Sequence, residues 1–185
     1  MPQRSPTAGK PTPREAQRLI DFLNSRPRGA KPDGLAGIDS ATRVLQQLGV
    51  GGFELDALGL ERLRRLRDAL TVLADRGRGD RGRSRAWDAV NDIAARVPVT
   101  LSFGGDDEAS VRPSGEGADA AIGALIADLH VAVSAGRWPR VRLCAHEPCS
   151  HAFYDHTRSR TQRWHSYAVC GNRANVAAHR RRTAA

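Results

Sequence analysis

Apolar residues recur at three- and four-residue spacing over much of the first 136 residues, which is the period of amphipathic helices. The longest such pattern is carried by leucines: Leu55, Leu58, Leu63, Leu66, Leu70 and Leu73. Between them stand arginines that we expect mostly on the solvent side: Arg62, Arg64, Arg65 and Arg67. The sequence therefore predicts a long amphipathic helix in the middle of this region.

Helix start signals occur earlier in the chain. Thr12 and Glu15 have the spacing of a capping box, with Pro13 at the first helical position, so a helix is expected to begin there. Asp39 or Ser40 is expected to cap a second, short helix, which the glycine at position 49 ends. The Pro- and Gly-rich stretch between these two helices predicts a loop.

An arginine–glycine stretch, RGRGDRGRSR, occupies residues 76 to 85. Such segments contact nucleic acid in some proteins, but one short tract carries little weight, so we interpret it as a solvated loop. Ser84 can cap a helix that follows this loop. That helix is expected to bury a tryptophan and aliphatic residues: Trp87, Val90 and either Ile93 or Ala94.

The residues from Val99 to Phe103 alternate between apolar and polar, and Ala109 to Arg112 resumes after a Gly- and Asp-rich turn, which predicts a β-hairpin. A last helix is predicted over residues 118–135, before Gly136, with an apolar face made of Ile122, Leu125, Ile126, Leu129 and Val133. The pattern predicts a mainly α (α+β) fold in which a multihelical N-terminal domain contains one small hairpin.

The charge is distributed unevenly along the 185 residues. The formal net charge is +9, and residues 137–185 carry ten arginines against two acidic residues, Glu147 and Asp155. We therefore divide the chain into a disordered lead over residues 1–12, a helical domain over 13–136 with its hairpin near 99–112, and a basic C-terminal domain over 137–185. A basic excess confined to one end favours an anionic partner, of which nucleic acid is the commonest.

All three cysteines lie in this basic segment, in the order Cys144, four residues, Cys149, fifteen residues, His165, four residues, Cys170. Two close pairs separated by a short loop match a structural zinc site, in which three thiolates and one imidazole complete a tetrahedron. No coordination position is left for water, so we predict one structural rather than catalytic Zn²⁺. This spacing favours zinc over an iron–sulfur cluster, and a reducing compartment disfavours a disulfide.

Other histidines in the segment are also candidates for the fourth ligand. His146 and His151 are too close to the first cysteine pair to complete a tetrahedron easily, whereas His156 is a competitor for His165. The symmetry of the two pairs favours His165.

The same segment resembles a known family. The cysteine pair is followed by Phe153, Asp155, Thr157 and Arg158, then by Arg163-Trp164-His165, then by Cys170-Gly171-Asn172-Arg173 and a basic helix. This combination resembles the CGNR zinc finger, and the resemblance covers the whole segment. In that family the residue after the tryptophan is usually a cysteine. The resemblance implies that His165 is the corresponding ligand here, in a finger that we expect to be treble-clef-like.

The N-terminal domain is similar to the ABATE domain, which commonly precedes this finger and is described as a stress-induced transcription regulator. The similar residues are Asp21 to Ser25, the run from Leu63 to Leu70, and Trp87 to Asn91. The two resemblances together imply a DNA-binding transcription regulator of the bacterial type.

Arginines of the finger are the residues that we expect to bind nucleic acid, most simply double-stranded DNA, through its phosphates. They form one cluster in the loop and one in a helix predicted from position 172 to 182: Arg158, Arg160, Arg163, Arg173, Arg180, Arg181 and Arg182. Arg163 and Arg173 have a competing interpretation, because arginines near a zinc site that carries one negative charge also stabilise it.

Other functions stay open at this stage. The finger could instead be a zinc-stabilised module for protein interaction, or the helical domain could be a small-molecule sensor coupled to the finger, and a homodimer is also compatible with the sequence. We predict no enzyme, because no motif unites a nucleophile, a base and an oxyanion hole. No run approaches the roughly 18 apolar residues of a membrane span, and no secretory signal is visible. We therefore expect a cytoplasmic protein without a membrane partner.

Overall fold

The structure is a computed structural model that describes residues 11–77, 79–105, 109–147 and 149–183. Its elements in chain order are α1 Arg14–Leu23, α2 Ile38–Gln47, α3 Ala57–Ala74, α4 Asp80–Ala94, β1 Val99–Phe103, β2 Ala109–Pro113, α5 Gly117–Ser134, β3 Val141–Leu143, β4 Ala152–Tyr154 and α6 Asn172–Thr183. The mainly α fold with one hairpin and a small C-terminal finger is confirmed. Most of the lead predicted to be disordered, residues 1–10, lies outside the described residues.

The long leucine helix, α3, occupies the centre of the helical part of the chain, which we call the body. It packs against α4 and α5, and also contacts α1 and α2. Leu63, Leu66 and Leu70 are fully buried, and each contributes about 1.5–3 kcal/mol of hydrophobic stabilisation. The prediction was wrong for Leu58, which is 67% exposed near the start of α3.

Arg67 is buried, contrary to the prediction that the arginines of α3 lie mostly on the solvent side. It is only 4% exposed. Its guanidinium donates to both carboxylate oxygens of Asp33, at 2.5 and 2.9 Å, and to the hydroxyl of Ser25 at 3.1 Å. Arg67 thus ties the loop between α1 and α2 to the central helix, and helical periodicity cannot show such a partner.

Three helices begin differently from the prediction. Pro13 precedes α1, and the Thr12 hydroxyl does not cap it but hydrogen-bonds the Nε2 atom of His156, at 3.1 Å. Gly37 precedes α2, so Ser40 lies inside the first turn. There its hydroxyl accepts a hydrogen bond from the Gly37 N–H and donates one to the Gly37 carbonyl. α4 begins at Asp80, so the loop predicted for residues 76–85 is shorter and Ser84 is helical.

The β-hairpin has one wholly apolar face. Val99 pairs with Pro113, Leu101 with Val111, and Phe103 with Ala109. β2 packs near α5, yet β1 is exposed along its length, and Phe103 is 78% exposed. An uncovered apolar face of this kind is typical of surfaces that meet another molecule.

α5 is the second long helix of the body. Among the described helices it alone has the length and apolar composition to cross a membrane, with 18 residues and mean hydropathy 1.3. Core helices pass the same test. α5 packs against α1, α3 and β2, and its residues Ile122 and Leu125 are fully buried, so we treat it as a core helix. Val133, predicted to be in the core, is 45% exposed.

The finger is built on the antiparallel pair β3–β4, in which Val141 pairs with Tyr154 and Leu143 with Ala152. β4 packs on α1 and β3 on α3. Val141, Ala152 and Trp138 belong to the same buried cluster as the leucines of α3. One half of the finger therefore shares the hydrophobic core of the body, and the other half forms a separate small cluster around the cysteines.

A candidate zinc centre and its basic surface

The first cysteine pair lies in the turn that joins β3 to β4. The backbone N–H of Cys144 donates to the carbonyl of His151 at 2.8 Å, and that of Cys149 to the carbonyl of His146 at 2.8 Å. Ser150 follows with a φ of 46°, a left-handed conformation that is unusual for a residue with a side chain. These contacts close the turn and bring both thiols to its inner side.

The second pair is His165, which lies just before a π-helical turn at Tyr167–Gly171, and Cys170, which lies within that turn; the turn leads directly into α6. The N–H groups of Cys170 and Gly171 both donate to the carbonyl of Ser166, at 2.9 and 3.2 Å. The turn begins two residues after His165 and contains Cys170, so it carries the chain from one ligand to the next. The ligand Cys170 therefore lies in the turn that immediately precedes α6.

The four predicted side chains converge. One donor atom from each of Cys144, Cys149, His165 and Cys170 lies within 4.8 Å of all the others. The Nδ1 atom of His165 is 3.4 Å from the sulfur of Cys149 and 3.7 Å from that of Cys170. With Zn–S near 2.3 Å and Zn–N near 2.0–2.1 Å, a tetrahedral ion sets such atoms about 3.6 Å apart. The cluster therefore fits one tetrahedral zinc ion.

Burial and charge at the cluster also suit a metal. Burial first, and then the thiols of Cys149 and Cys144, raise the pKa of the Cys170 thiol to about 12. Three thiolates so close together require a cation among them. Burial, followed by the charge of Arg28, lowers the pKa of His165, which favours the neutral imidazole that a metal needs. With all four positions filled by protein, the zinc is structural.

The competing histidines lie outside the cluster. His156 is exposed and contacts the Tyr154 ring, with 4.9 Å between centroids, and Thr12. His151 lies against His165, with 4.6 Å between ring centroids. Of the alternatives left open by the sequence, the structure thus brings His165, and not His156, to the cysteines.

Arg28 is a residue of the site that sequence reasoning missed. Its guanidinium contacts the Nδ1 atom of His151, the ring that packs on His165. Burial first, and then the charge of Arg28, lowers the pKa of His151 to about 4, so this ring is neutral at pH 7 and accepts from the guanidinium. Arg28 belongs to the body, and it places a positive charge near a zinc site that carries one negative charge.

Asp155 is a second missed residue, although its position formed part of the family resemblance. It is fully buried. One carboxylate oxygen accepts from the N–H and hydroxyl of Thr157, at 2.9 and 2.5 Å, and the other from Gln162 N–H and from Arg142, at 3.0 and 2.9 Å. Burial acts to raise the pKa of Asp155, but these hydrogen bonds outweigh it and the pKa is lowered. Asp155 therefore organises the loop that carries three of the predicted arginines.

The Gly-Asn pair after Cys170 has local structural roles. A Cβ atom on Gly171 would lie 2.9 Å from the Tyr167 ring and 3.2 Å from the Trp164 ring, so only glycine fits there without rearrangement. The amide of Asn172 donates to the carbonyl of Ala168 at 3.0 Å. Arg173, the next residue, is exposed. The sequence Gly-Asn thus closes the turn, and the arginine points to solvent.

The predicted arginines lie in the loop that follows β4 and on α6. All of them whose side chains the structure describes are exposed: Arg158, Arg160, Arg163, Arg173, Arg180 and Arg182. The side chain of Arg181 lies outside the described set. Arg163 stacks over the Trp164 ring, 5.2 Å from its centroid, while Trp164 packs against the cysteine cluster.

α6 buries little of its apolar surface. Val176 is 50% exposed and Ala177 is exposed as well, so neither packs back on the finger. Ala174 and Ala178 are half-buried instead and line a shallow groove beside Trp164 and Arg163. The small side chains leave α6 lightly anchored beyond its first turn.

The fold and the site define a zinc-finger protein with a helical N-terminal body. Comparison with family models gives two matches that together span most of the chain. The ABATE model, described as "Putative stress-induced transcription regulator", matches residues 17–137, and the CGNR zinc finger model matches residues 140–183. The chain belongs to the ABATE family and carries a CGNR zinc finger. Comparison with curated proteins gives no match.

Proposed function

We propose that this protein is a transcription regulator that binds double-stranded DNA through its zinc finger. The observation that carries the proposal is a set of exposed arginines on a helix that begins at the zinc cluster. Arg173 lies at its start, and Arg180 and Arg182 lie near its end. The loop arginines Arg158, Arg160 and Arg163 extend this set next to the metal.

α6 has the dimensions of a helix that enters the major groove. Its 12 residues span about 18 Å, and the major groove, about 12 Å wide, admits one helix. An isolated helix of this length is marginal in water, so the π turn at the zinc cluster has to anchor its first turn. The zinc would then act indirectly, by holding a basic helix in a shape that DNA accepts.

We expect the loop arginines to contact phosphates rather than bases. Buried Asp155 fixes the loop, and Arg160 within it has a φ of 55°, a left-handed conformation that the surrounding hydrogen bonds maintain. Such a pre-formed loop loses little entropy on binding an anion. Most protein–DNA hydrogen bonds go to phosphate and fix the register of the protein on the duplex.

The family matches and the cysteines support a regulatory role in a reducing compartment. The two matching families are a regulator family and a zinc finger, not enzyme families. The three cysteines are free of disulfides and belong to one zinc cluster. Thiols that serve as zinc ligands must stay reduced, and the cytoplasm keeps them so. In bacteria the DNA lies in the same compartment.

Selection from a library of random duplexes tests the proposal. The zinc-loaded full chain is expected to enrich a short sequence motif over successive rounds. The Arg180→Ala, Arg181→Ala, Arg182→Ala triple variant is the comparison, with its zinc content measured to show that the finger is intact. If the wild-type protein retains no DNA at low salt, the proposal is rejected. If it retains DNA but enriches no sequence motif, sequence-specific regulation is rejected.

A second candidate function is protein interaction, because the hairpin exposes an apolar face. Leu101 is 62% and Phe103 78% exposed on that face. Under this alternative the hairpin would contact a protein, a second copy of the chain included. Light scattering of the wild type and of Phe103→Ser measures this contact. A partner that survives nuclease treatment and is lost with Phe103→Ser would support this function.

A further inference from the structure

A groove of about 690 Å³ lies where the body meets the finger. Arg76, two residues after the end of α3, forms its body side, and Arg142 and Arg163 form its finger side. We call it the Arg76 groove. Arg76 comes from the arginine–glycine stretch that sequence reasoning interpreted as a solvated loop, and the fold brings it beside the arginines of the finger.

Arg76 is held toward the finger by its own contact. Its Nη2 atom donates to the carbonyl of Pro139 at 2.5 Å, and the residue is otherwise exposed. Burial first, and then the positive charges of Arg142, Arg83 and Arg160, lower the pKa of Arg76. Cations from the body and from the finger thus lie within electrostatic range of one another. An anion that bound among them would relieve their repulsion.

Not every charge at the groove is available. Arg142 is used by Asp155, at 2.9 Å, and Arg83 donates to the carbonyl of Leu73 at 2.8 Å. Asp75 and Glu147 also line the groove. Among the described residues that line the groove, the exposed arginines are Arg76 on one side and Arg163 on the other.

We propose that the Arg76 groove is a second phosphate-binding site, which takes the sugar–phosphate backbone of the duplex that the finger binds. The inference rests on the proposed function and extends the DNA-binding surface from the finger to the body. The two carboxylates along the groove disfavour a small, compact anion, which would have to approach them. A polyanionic backbone can instead touch the arginines at the rim, and phosphate contacts of this kind position a protein without reading sequence.

Fluorescence anisotropy with a labelled duplex, measured between 50 and 200 mM salt, tests the inference. Arg76→Gln removes the charge but keeps a polar side chain. Its log–log salt slope is expected to be shallower than that of the wild type by about one. Arg76→Lys keeps the charge and should keep the slope. Arg43→Gln, an exposed arginine on α2 away from the groove, is the matched control and should behave as wild type.

The outcomes separate this inference from the proposed function. If the wild type binds the duplex and Arg76→Gln has the same affinity and slope, the groove is not a phosphate site, while DNA binding by the finger stands. Equal loss of affinity in Arg76→Gln and Arg76→Lys would assign Arg76 a structural role and overturn the inference too. Absence of duplex binding by the wild type would overturn both. Zinc content and melting temperature, measured for each variant, show that the fold is intact.

Discussion

The side chain of Asn24, at the end of α1, pairs with the backbone of Ala152 in β4 as another strand would. Its amide donates to the Ala152 carbonyl at 3.0 Å, and its carbonyl oxygen accepts from the Ala152 N–H at 2.9 Å. Arg26, two residues later, donates to the carbonyl of Ser150 at 2.9 Å. The edge of β4 that β3 leaves free is therefore closed by the body, directly beside the cysteine turn.

Asn24→Ala is expected to destabilise the protein by about 2 kcal/mol, because it leaves two polar groups of a buried residue without their partner. Urea unfolding followed by circular dichroism measures this change. Asn91→Ala, at an exposed position on α4, is the matched control, and its effect should stay within about 0.5 kcal/mol. Equal stability of the two variants would show that Asn24 does not hold the finger on the body.

The zinc ligands predict a specific pattern of metal content. Elemental analysis should find one zinc ion per chain, and zinc should be lost readily to a chelator from His165→Ala but not from His156→Ala, because only the first removes a member of the cluster. His165→Cys should retain zinc with four thiolates. Zinc retention by His165→Ala together with its loss from His156→Ala would instead assign the site to His156.

Zinc removal should weaken the body as well as the finger. Val141 and Ala152 of the finger are buried in the same cluster as Leu66 and Leu70 of the body. Because metal binding contributes directly to folding free energy, a chelator is expected to lower the stability of both parts in thermal unfolding. A body that melts at an unchanged temperature after complete zinc removal would contradict this coupling.

Asp155→Ala should be among the most damaging single substitutions outside the ligands. It leaves the side chain of Arg142, 14% exposed, without its carboxylate and removes three further hydrogen bonds from the loop. Breaking a buried pair in this way costs about 3–5 kcal/mol. Urea unfolding checks the loss. Arg142→Met together with Asp155→Ala, which removes both charges, should recover part of it, and no recovery would contradict this explanation.

A pH dependence is expected from Asp128, which pairs with Arg18 at 2.9 Å across the contact between α1 and α5. Burial raises the pKa of Asp128 from 3.8 to about 6, against the opposing effect of Arg18. Because the folded-state pKa is raised, its contribution to stability is fully present below pH 3.8 and is lost as the pH rises through about 6.

Comparison of the wild type with Asp128→Asn isolates this group, since changes at the zinc site are common to both proteins. The stability of the wild type relative to Asp128→Asn should fall by about 2 kcal/mol between pH 4 and pH 7, because the amide cannot ionise. Urea unfolding at several pH values measures the difference. A difference that stays constant over this range would show that the pKa of Asp128 is not raised.

The sequence predicts those features that depend on residues close together in the chain. The leucine periodicity of α3, the alternation of the hairpin and the spacing of the zinc ligands are all local patterns, and the structure confirms them. Arg67, Asn24 and Arg28 were missed because each acts on a residue that is distant in sequence. The sequence showed Asp155 as part of the family motif but did not predict its structural role, because its hydrogen bonds depend on how the loop folds back.

The salt dependence of duplex binding tests the central claim most directly. The zinc-loaded full chain is titrated into a labelled duplex at several salt concentrations, and anisotropy gives the affinity at each. If about five of the finger arginines contact phosphate, the log–log slope should be roughly −4 to −5. Absence of binding at the lowest salt, or an affinity independent of salt, would contradict DNA binding through this surface.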